Sequence, residues 1–468
     1  MKPTSLTPRP AVNLPAILSL SLLLCTCLAC ADGVGWRTDG TGRYPDSAPV
    51  IEWAADTNIV WATELPATAN STPVVVGDRI CVTAEPASLL CLDRGDGAIL
   101  WQAANEYTDI APPEQLADME QKQAEYDQLL KEIGQTNRER NKVRKQLQDD
   151  PDNEALKTQM QQLNTTVRDL QSRLQPYLDV WYVRPVAHET NGYASATPVT
   201  DGAHVWALFG TGVGCCYDLE GNRVWARSVG KPRNGYGHSA SPILADGKVI
   251  MHVTSLQALE PLTGELIWEA PVPACWGTSI VTEIEGTPVV LTPNGYMVNA
   301  TDGTVLAEKL ANCTYASPVL HDGVVYFADE KGWAAFTLPE TLDPFEPRQL
   351  WQANPKKDRY YGSPVIHEGI IYGVTQAQIL SAMDAATGEL LYEQNLTMGR
   401  GVCYPSITLA GESLLLGCDN GTTVVFEPGE TYQEVARNTL EPYRGSPVLV
   451  GDLLYLRGLE HMYCIGAQ

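Results

Sequence analysis

Short apolar runs alternate with turn-forming residues over most of the chain, and one local pattern recurs along it. Each copy has Ser or Thr before a proline, then an apolar run, then a turn that pairs glycine with an acidic residue. Six copies contain the proline, at Pro73, Pro198, Pro242, Pro318, Pro364 and Pro447. Two degenerate copies, "GTSIVTEIEG" with Ile280 in the proline position and "YPSITLAGE" with Ser406 there, bring the number to eight. Internal repetition at this spacing is typical of solenoids and propellers.

Each copy continues into further short strands, so that four strands recur every 38 to 46 residues. Such units are typical of β-propeller blades, whereas a long β-sandwich array is the alternative. A tryptophan in the fourth strand favours the propeller. This structural repeat residue stands at Trp61, Trp101, Trp225, Trp268 and Trp351.

The position of Trp61 predicts how the ring closes. Trp61 stands 12 residues before Pro73 and has no blade of its own in front of it, while the last copy, 445–466, ends after its third strand. We therefore expect the strand around Trp61 to complete the last blade, which leaves no open edge. The fold class predicted is all-β, an eight-bladed propeller, with the closing strand and blade 1 in 32–111 and blades 2–8 in 177–468.

Residues 112–176 interrupt the repeats with a charged, helix-forming segment. Leu156, Met160 and Leu163 begin a heptad seam, Leu116 and Met119 begin a second, and the two flank the turn "DDPDN". This pattern predicts an α-helical coiled-coil hairpin inserted between blades 1 and 2. Two interpretations remain open, a self-contained insertion and an arm that contacts a partner.

The N-terminus reads as an export signal. Lys2 and Arg9 precede a short apolar run, and Ala29 and Ala31 form a small-residue cleavage pattern. We predict a signal peptide over 1–31. The alternative is a lipoprotein signal that ends before Cys30, with Cys30 carrying the lipid. The mature chain is then exported to the periplasm or cell envelope.

The net charge of the chain makes some classes of binding partner unfavourable. The chain has a formal net charge of −24, which makes nucleic acid and an anionic membrane surface unfavourable partners. We expect no nucleic acid, and membrane contact only through a lipid on Cys30.

The segments "YDLEGNRVW" and "LEPLTGELIW" resemble the tryptophan-docking repeats of the pyrroloquinoline quinone (PQQ)-like propellers. That family includes quinoprotein alcohol dehydrogenases and the outer-membrane β-barrel assembly lipoprotein. The opening "WRTDGTGRYPDSAP" is similar to the start of exported planctomycete-type PQQ-like repeat proteins. The resemblance implies an eight-bladed fold and leaves activity open, since one scaffold hosts many functions.

Residues just before the proline positions are expected to converge on the mouth of the central channel. They form a predicted binding ring of Tyr193, His238, Trp276, Tyr315, Tyr361, Tyr404 and Arg444. Carboxylates are missing from this set, whereas calcium takes six to eight oxygen ligands. We therefore expect no metal and no cofactor, with PQQ and calcium as the alternative. Aromatic groups with polar tips suit a peptide or sugar, and the alternative is that tyrosines only fill the channel.

The cysteines give three further hypotheses. Cys81 and Cys91 flank a short hairpin and are a candidate disulfide. The adjacent Cys215 and Cys216 are either a redox device or two residues of a buried strand, and their apolar column predicts reduced, structural thiols. Cys275 and Cys313, in neighbouring blades, are a candidate disulfide or soft-metal pair.

These observations predict a non-catalytic, exported propeller that binds an envelope protein or peptide. The first alternative is a PQQ-dependent or other redox quinoprotein dehydrogenase, and the second is a glycan-binding propeller.

Overall fold

The structure is a computed structural model that describes residues 34–467. The predicted signal peptide and Cys30 lie outside the described residues. Within 34–467, no helix combines the length and the hydropathy that crossing a membrane requires.

The predicted eight-bladed propeller is confirmed. Its eight sheets each contain four antiparallel blade strands, in sequence order apart from the last, and the sheet of blade 7 gains Arg43–Tyr44 as a fifth, parallel strand. Blades 1 to 4 consist of Val74–Val76, Arg79–Ala84, Ser88–Asp93 and Ile99–Ala104; Val199–Thr200, His204–Leu208, Val213–Asp218 and Arg223–Ser228; Ile243–Ala245, Lys248–His252, Leu256–Leu259 and Leu266–Ala270; and Ile280–Ile284, Thr287–Leu291, Met297–Asn299 and Val305–Ala307. Blades 5 to 7 consist of Val319–His321, Val324–Asp329, Gly332–Thr337 and Arg348–Ala353; Val365–His367, Ile370–Val374, Ile379–Asp384 and Leu390–Asn395; and Thr408–Ala410, Ser413–Gly417, Thr422–Glu427 and Gln433–Thr439.

Blade 8 is assembled from both ends of the chain, as Trp61 predicts. Its strands Val448–Val450, Leu453–Arg457 and His461–Ile465 are completed by Ile59–Glu64. Trp61 lies opposite Cys464 in this antiparallel pair. The closing strand therefore removes the edge that the last blade would otherwise expose.

Acidic–glycine turns join the first and second strands of the blades. In blades 3 and 5 both central residues have positive φ, 49° and 66° at Asp246–Gly247 and 48° and 71° at Asp322–Gly323. Tight hairpin turns of this kind match the strand twist and favour Asp and Gly. The eight corresponding turns all carry an acidic residue, namely Asp78, Asp201, Asp246, Glu285, Asp322, Glu368, Glu412 and Asp452.

The repeated tryptophans join five of the eight blades to the next blade. The indole N–H of Trp225 donates to the Pro261 carbonyl at 2.7 Å, and a side chain at Gly264 would lie 2.7 Å from the Trp225 ring. Trp61, Trp101, Trp268 and Trp351 donate in the same way to Arg94, Leu219, Ala300 and Ala385. These five interfaces are therefore held by an indole, a hydrogen bond and a turn glycine together.

The insertion is a helical hairpin, α2 (Leu116–Asp149) and α3 (Glu154–Leu178), preceded by the short α1 (Tyr107–Ile110) and a 3-10 turn at Pro113–Gln115. Val167 and Leu170 of the predicted seam are buried. The Asn153 side chain caps α3 by accepting from the Leu156 N–H. The exposed large apolar side chains of the described chain all lie outside the two helices, and Met119 of α2 packs with Tyr107 and with Val213 of blade 2, so the propeller covers part of the seam.

The segment after residue 33 fills the central channel, which the repeats alone did not predict. Val34 forms a bridge with Thr200 of blade 2, and Arg43–Tyr44 run parallel to the first strand of blade 7. Between them Arg37 is 1% exposed, and its guanidinium donates to the carbonyls of Pro364 and Ile407 at 3.0 and 2.6 Å. Burial lowers the pKa of Arg37 to about 10. The channel is therefore plugged beneath its mouth rather than open.

Candidate functional site

A closed ring of eight hydroxyl groups surrounds the channel at the start of the first strands. The Thr72 N–H donates to the Thr197 hydroxyl at 3.0 Å, and the Thr197 N–H donates to Ser241 at 3.0 Å. The ring continues through Thr278, Ser317, Ser363, Ser406 and Ser446. Ser446 donates back to Thr72 at 3.1 Å. Each blade thus supplies one donor and one acceptor to its neighbours.

This ring corrects the register predicted for the two degenerate copies. In blade 4 the ring residue is Thr278, so Ser279 and not Ile280 takes the proline position. In blade 7 the ring residue is Ser406 itself, so Ile407 takes that position. The hydroxyl, which makes the inter-blade hydrogen bond, defines the repeat more strictly than the proline does.

All eight ring residues line a cavity of about 440 Å³ at the channel mouth. Its wall is formed by the residues two positions before each ring hydroxyl: Asn70, Ser195, Ser239, Trp276, Tyr315, Tyr361, Tyr404 and Arg444. Trp36, from the segment that plugs the channel, also lines the cavity. The cavity therefore has a polar ring, a wall that is aromatic at four of its eight positions, and a plugged base.

The aromatic side chains of the wall form a continuous arc. Trp276 and Tyr315 have ring centroids 5.5 Å apart, Tyr315 and Tyr361 4.8 Å, and Tyr361 and Tyr404 4.9 Å. The Arg444 guanidinium lies 5.8 Å from the Tyr404 ring centroid and extends the arc as a cation–π contact.

Tyr236 and His188 extend the arc at its other end, at centroid distances of 6.5 Å (Tyr236–Trp276) and 6.4 Å (His188–Tyr236). Tyr236 is 61% exposed. Sequence reasoning missed both residues because they come from loops rather than from the repeated column. Ser195 and Ser239 occupy that column in blades 2 and 3, and their small side chains leave room for the loop residues.

Five of the seven predicted ring residues, Trp276, Tyr315, Tyr361, Tyr404 and Arg444, lie together in this wall. The other two do not, and their placement is corrected. His238 is buried and contacts the Ala240 carbonyl at 3.0 Å, and burial lowers its pKa to about 4. Tyr193 donates to the Pro185 carbonyl at 2.8 Å, while Glu85 accepts from its backbone N–H at 2.7 Å.

The charges at the mouth differ from those of the whole chain. Arg444 and Arg359 line the cavity, and no Asp or Glu of residues 34–467 does. Arg444 donates to Asn70 at 3.3 Å and lies 4.0 Å from Asp419, which stands behind the wall. The cavity is therefore suited to neutral or anionic groups in a protein that is otherwise strongly acidic.

One cluster in the described chain brings three potential metal ligands within 4.8 Å, namely Glu441, Glu460 and His461. The Glu441 carboxylate there accepts the backbone N–H groups of Glu460 and His461 at 3.0 and 2.8 Å and contacts the His461 ring at 2.9 Å. Its oxygens are already engaged in holding a turn, which gives the cluster a structural role.

The cysteines that drew attention in the sequence are all free thiols. Cys81 lies directly opposite Cys91 in blade 1, without the predicted disulfide. Cys215 and Cys216 are fully buried strand residues, and burial raises the pKa of Cys215 to about 12. Cys275 contacts the His252 ring at 3.5 Å, and Cys313 contacts the Ala328 carbonyl.

Comparisons with known proteins agree with the architecture. The family model described as outer membrane protein assembly factor BamB matches residues 42–123 and 186–334. A search of curated proteins gave no significant match.

Among solved structures, BamB from Moraxella catarrhalis is similar at 11% identity and a TM-score of 0.55, covering 87% of this chain and 99% of its own. A europium-containing methanol dehydrogenase is similar at 11% identity and a TM-score of 0.53, and the match covers 92% of this chain and 90% of the dehydrogenase chain. The computationally designed Ika8 protein is similar at 8% identity and a TM-score of 0.53, and the match covers 87% of this chain and 99% of the Ika8 chain. Identities this low show the fold alone. The family match and the docking repeats show that the chain is similar to the PQQ-like repeat β-propeller proteins.

Proposed function

We propose that the chain is a non-catalytic, exported propeller that binds a protein partner in the cell envelope, and that a peptide segment of the partner enters the mouth cavity. The observation that carries this proposal is the arc of Trp276, Tyr315, Tyr361 and Tyr404 that ends in Arg444. Trp, Tyr and Arg are the residues that most often dominate the energy of protein interfaces.

The plugged base supports binding rather than passage. Trp36 lines the cavity, and Arg37 is anchored immediately after it on the carbonyls of blades 6 and 7. A ligand can therefore enter only from the mouth. The volume of about 440 Å³ falls within the range of small-ligand sites, which suits a few side chains of a longer peptide.

The lining does not fit a calcium–quinone centre. Calcium needs six to eight oxygen ligands, usually including carboxylates, and the residues of 34–467 that line the cavity offer amide, hydroxyl and carbonyl oxygen without a carboxylate. Arg444 and Arg359 would also repel a cation held among them. This donor set supports a non-catalytic role, and we derive no redox step.

The family comparison supports the envelope setting. The matching family model is described as an outer membrane protein assembly factor, and the predicted signal peptide directs the chain to the same compartment. BamB and a methanol dehydrogenase share the fold, so the choice between a binding protein and an enzyme depends on the cavity lining.

Binding to peptide and oligosaccharide arrays tests this proposal. We expect the purified protein to bind a subset of peptides, with a change in tryptophan fluorescence because Trp36 and Trp276 line the cavity. Tyr361→Ala should weaken binding about 30-fold, or about 2 kcal/mol. Leu262→Ala is the control, since Leu262 is 49% exposed in a turn outside the cavity.

Binding of oligosaccharides without binding of peptides would contradict the peptide proposal and support the alternative of a glycan-binding propeller. A bound chromophore and dye reduction after addition of PQQ and calcium would overturn the non-catalytic proposal. No binding to either array, with the fold intact, would also contradict it.

A further inference from the structure

Two loops at the mouth face of blade 7 hold a pair of cysteines together. The Val402 N–H donates to the Asp419 carboxylate at 2.8 Å, and the Asp419 N–H donates to the Val402 carbonyl at 3.0 Å. Cys403 follows Val402 and Cys418 precedes Asp419, so the two cysteines lie opposite each other across the paired loops. These two reciprocal hydrogen bonds thus hold the two cysteines beside each other.

Several hydrogen-bond donors converge on the Cys418 sulfur. The Gln378 amide donates to it at 3.8 Å, and hydrogen bonds from Cys403 and the Asn420 backbone N–H also favour the charged sulfur. The Cys418 thiol in turn donates to the Asp419 carboxylate at 4.0 Å. Donors around a sulfur stabilise the thiolate. The hydrogen bond from Cys403 is the main cause that lowers the pKa of Cys418 to about 7, while the same bond and burial raise the pKa of Cys403.

The other described cysteines differ from this pair in their place in the fold, although the hydrogen bond from Cys81 also lowers the pKa of Cys91. Cys215 and Cys216 follow each other in a strand, and burial raises the pKa of both thiols. Cys81 and Cys91 are also in contact, but both stand in the middle of paired strands, where a bridge would strain the ladder. Cys403 precedes the first strand of blade 7, and Cys418 begins the turn that follows its second strand.

Both sulfurs are buried, but the cover over Cys418 is thin. A side chain at Gly401 would lie 2.5 Å from the Cys418 sulfur, and Gly401 is itself partly exposed. Cys418 therefore lies directly beneath a partly exposed glycine.

We propose that Cys403 and Cys418 form a reversible disulfide, with Cys418 as the attacking thiolate. The oxidant is a disulfide compound. The Cys418 thiolate attacks one of its sulfurs, its S–S bond breaks, and one thiolate leaves. Cys403 then loses its proton and attacks the Cys418 sulfur of the mixed disulfide, which releases the second thiolate. In total two cysteine thiols are oxidised to one disulfide and the added disulfide is reduced to two thiols.

The disulfide would tie together two loops that carry parts of the cavity wall. Cys403 precedes Tyr404, and Cys418 precedes Asp419, which lies 4.0 Å from Arg444. The proposal concerns only the two sulfurs, and it does not depend on what the cavity binds.

Oxidised glutathione is the probe for the folded full-length protein. We expect peptide mapping to show one disulfide, between Cys403 and Cys418, that dithiothreitol reverses. Cys403→Ser should instead retain glutathione on Cys418, because the resolving thiol is missing, and Cys418→Ser should leave Cys403 free. The rate should rise with pH and level off above about pH 7, where Cys418 becomes the thiolate.

Cys81→Ser is the matched control and should leave the disulfide unchanged. The proposal is overturned if Cys403 and Cys418 stay free in the folded protein while glutathione oxidises the urea-unfolded chain. Oxidation at other cysteines first, or equal reactivity of Cys403 in Cys418→Ser, would also overturn it.

Discussion

The backbone N–H of Ser446 donates a hydrogen bond to the Thr72 hydroxyl, 3.1 Å away, across 374 positions of sequence. This contact completes the ring of eight hydroxyls and joins blade 8 to blade 1. The propeller is therefore closed twice. The hydroxyl ring closes it around the channel, and the strand Ile59–Glu64 closes it by completing the last blade.

Thr72→Val tests the closing contact of the ring. The substitution keeps the shape of the side chain but leaves the buried Ser446 N–H without its acceptor. We expect the free energy of unfolding to fall by about 1–3 kcal/mol. Urea denaturation measures this loss, and Thr108→Val, at an exposed position of α1, should change the stability little. An unchanged midpoint for Thr72→Val would contradict a structural role for the ring.

A pair of glycine substitutions separates packing from backbone strain. Gly264 and Gly247 have similar positive φ angles of 69° and 66°. A methyl group added at Gly264 would lie 2.7 Å from the Trp225 ring, whereas a methyl group added at Gly247 would have nothing within 4 Å. Gly247→Ala should cost about 1 kcal/mol through backbone strain alone. Gly264→Ala should cost more, by roughly 1–3 kcal/mol for overpacking. Equal melting temperatures would mean that the indole contact contributes nothing.

His252 and His238 predict a loss of stability in mild acid. Burial lowers the pKa of both to about 4 from an ordinary 6.5, so the unfolded chain takes up protons first. Their contribution is full above pH 6.5 and declines as the pH falls to 4, by roughly 3 kcal/mol per histidine. His252→Gln should flatten the stability profile between pH 6.5 and 4 in urea titrations. A profile parallel to that of the unmodified protein would contradict the buried, neutral state of His252.

Arg37→Met tests the plug of the channel. The Pro364 and Ile407 carbonyls would lose their guanidinium donor in a buried site. We expect the stability to fall by about 1–3 kcal/mol and the fluorescence of the adjacent Trp36 to change. Arg43→Met is the control, because Arg43 makes only a 3.5 Å contact with His321. Proteolysis that is unaltered near residue 37 would contradict the anchoring of this segment.

The repeat made most of the fold predictable from sequence. Eight repeat copies with a recurring tryptophan predicted the blades, and the distance from Trp61 to Pro73 predicted how the ring closes. Both sequence patterns arise from residues that contact the neighbouring blade. The column of small and apolar residues that contains Cys91 and Cys216 lies opposite the docking tryptophans.

The residues that line the channel mouth were predicted only in part. Their positions are counted from the ring hydroxyl of each blade, whereas the sequence analysis counted from the proline. Counting two residues back from the hydroxyl places Trp276 and Tyr361 correctly and replaces Tyr193 with Ser195. Tyr236 and the plug residue Trp36 come from segments that do not repeat, so no internal comparison could reveal them.

The most direct test of the binding proposal places a photo-crosslinking amino acid at position 361 of the exported protein. The account predicts a protein adduct at this position that is lost when Trp276→Ala is added, and no adduct from the same amino acid at position 262. Adducts from position 262 alone, or a bound quinone with dye reduction and no protein adduct, would contradict a peptide-binding mouth.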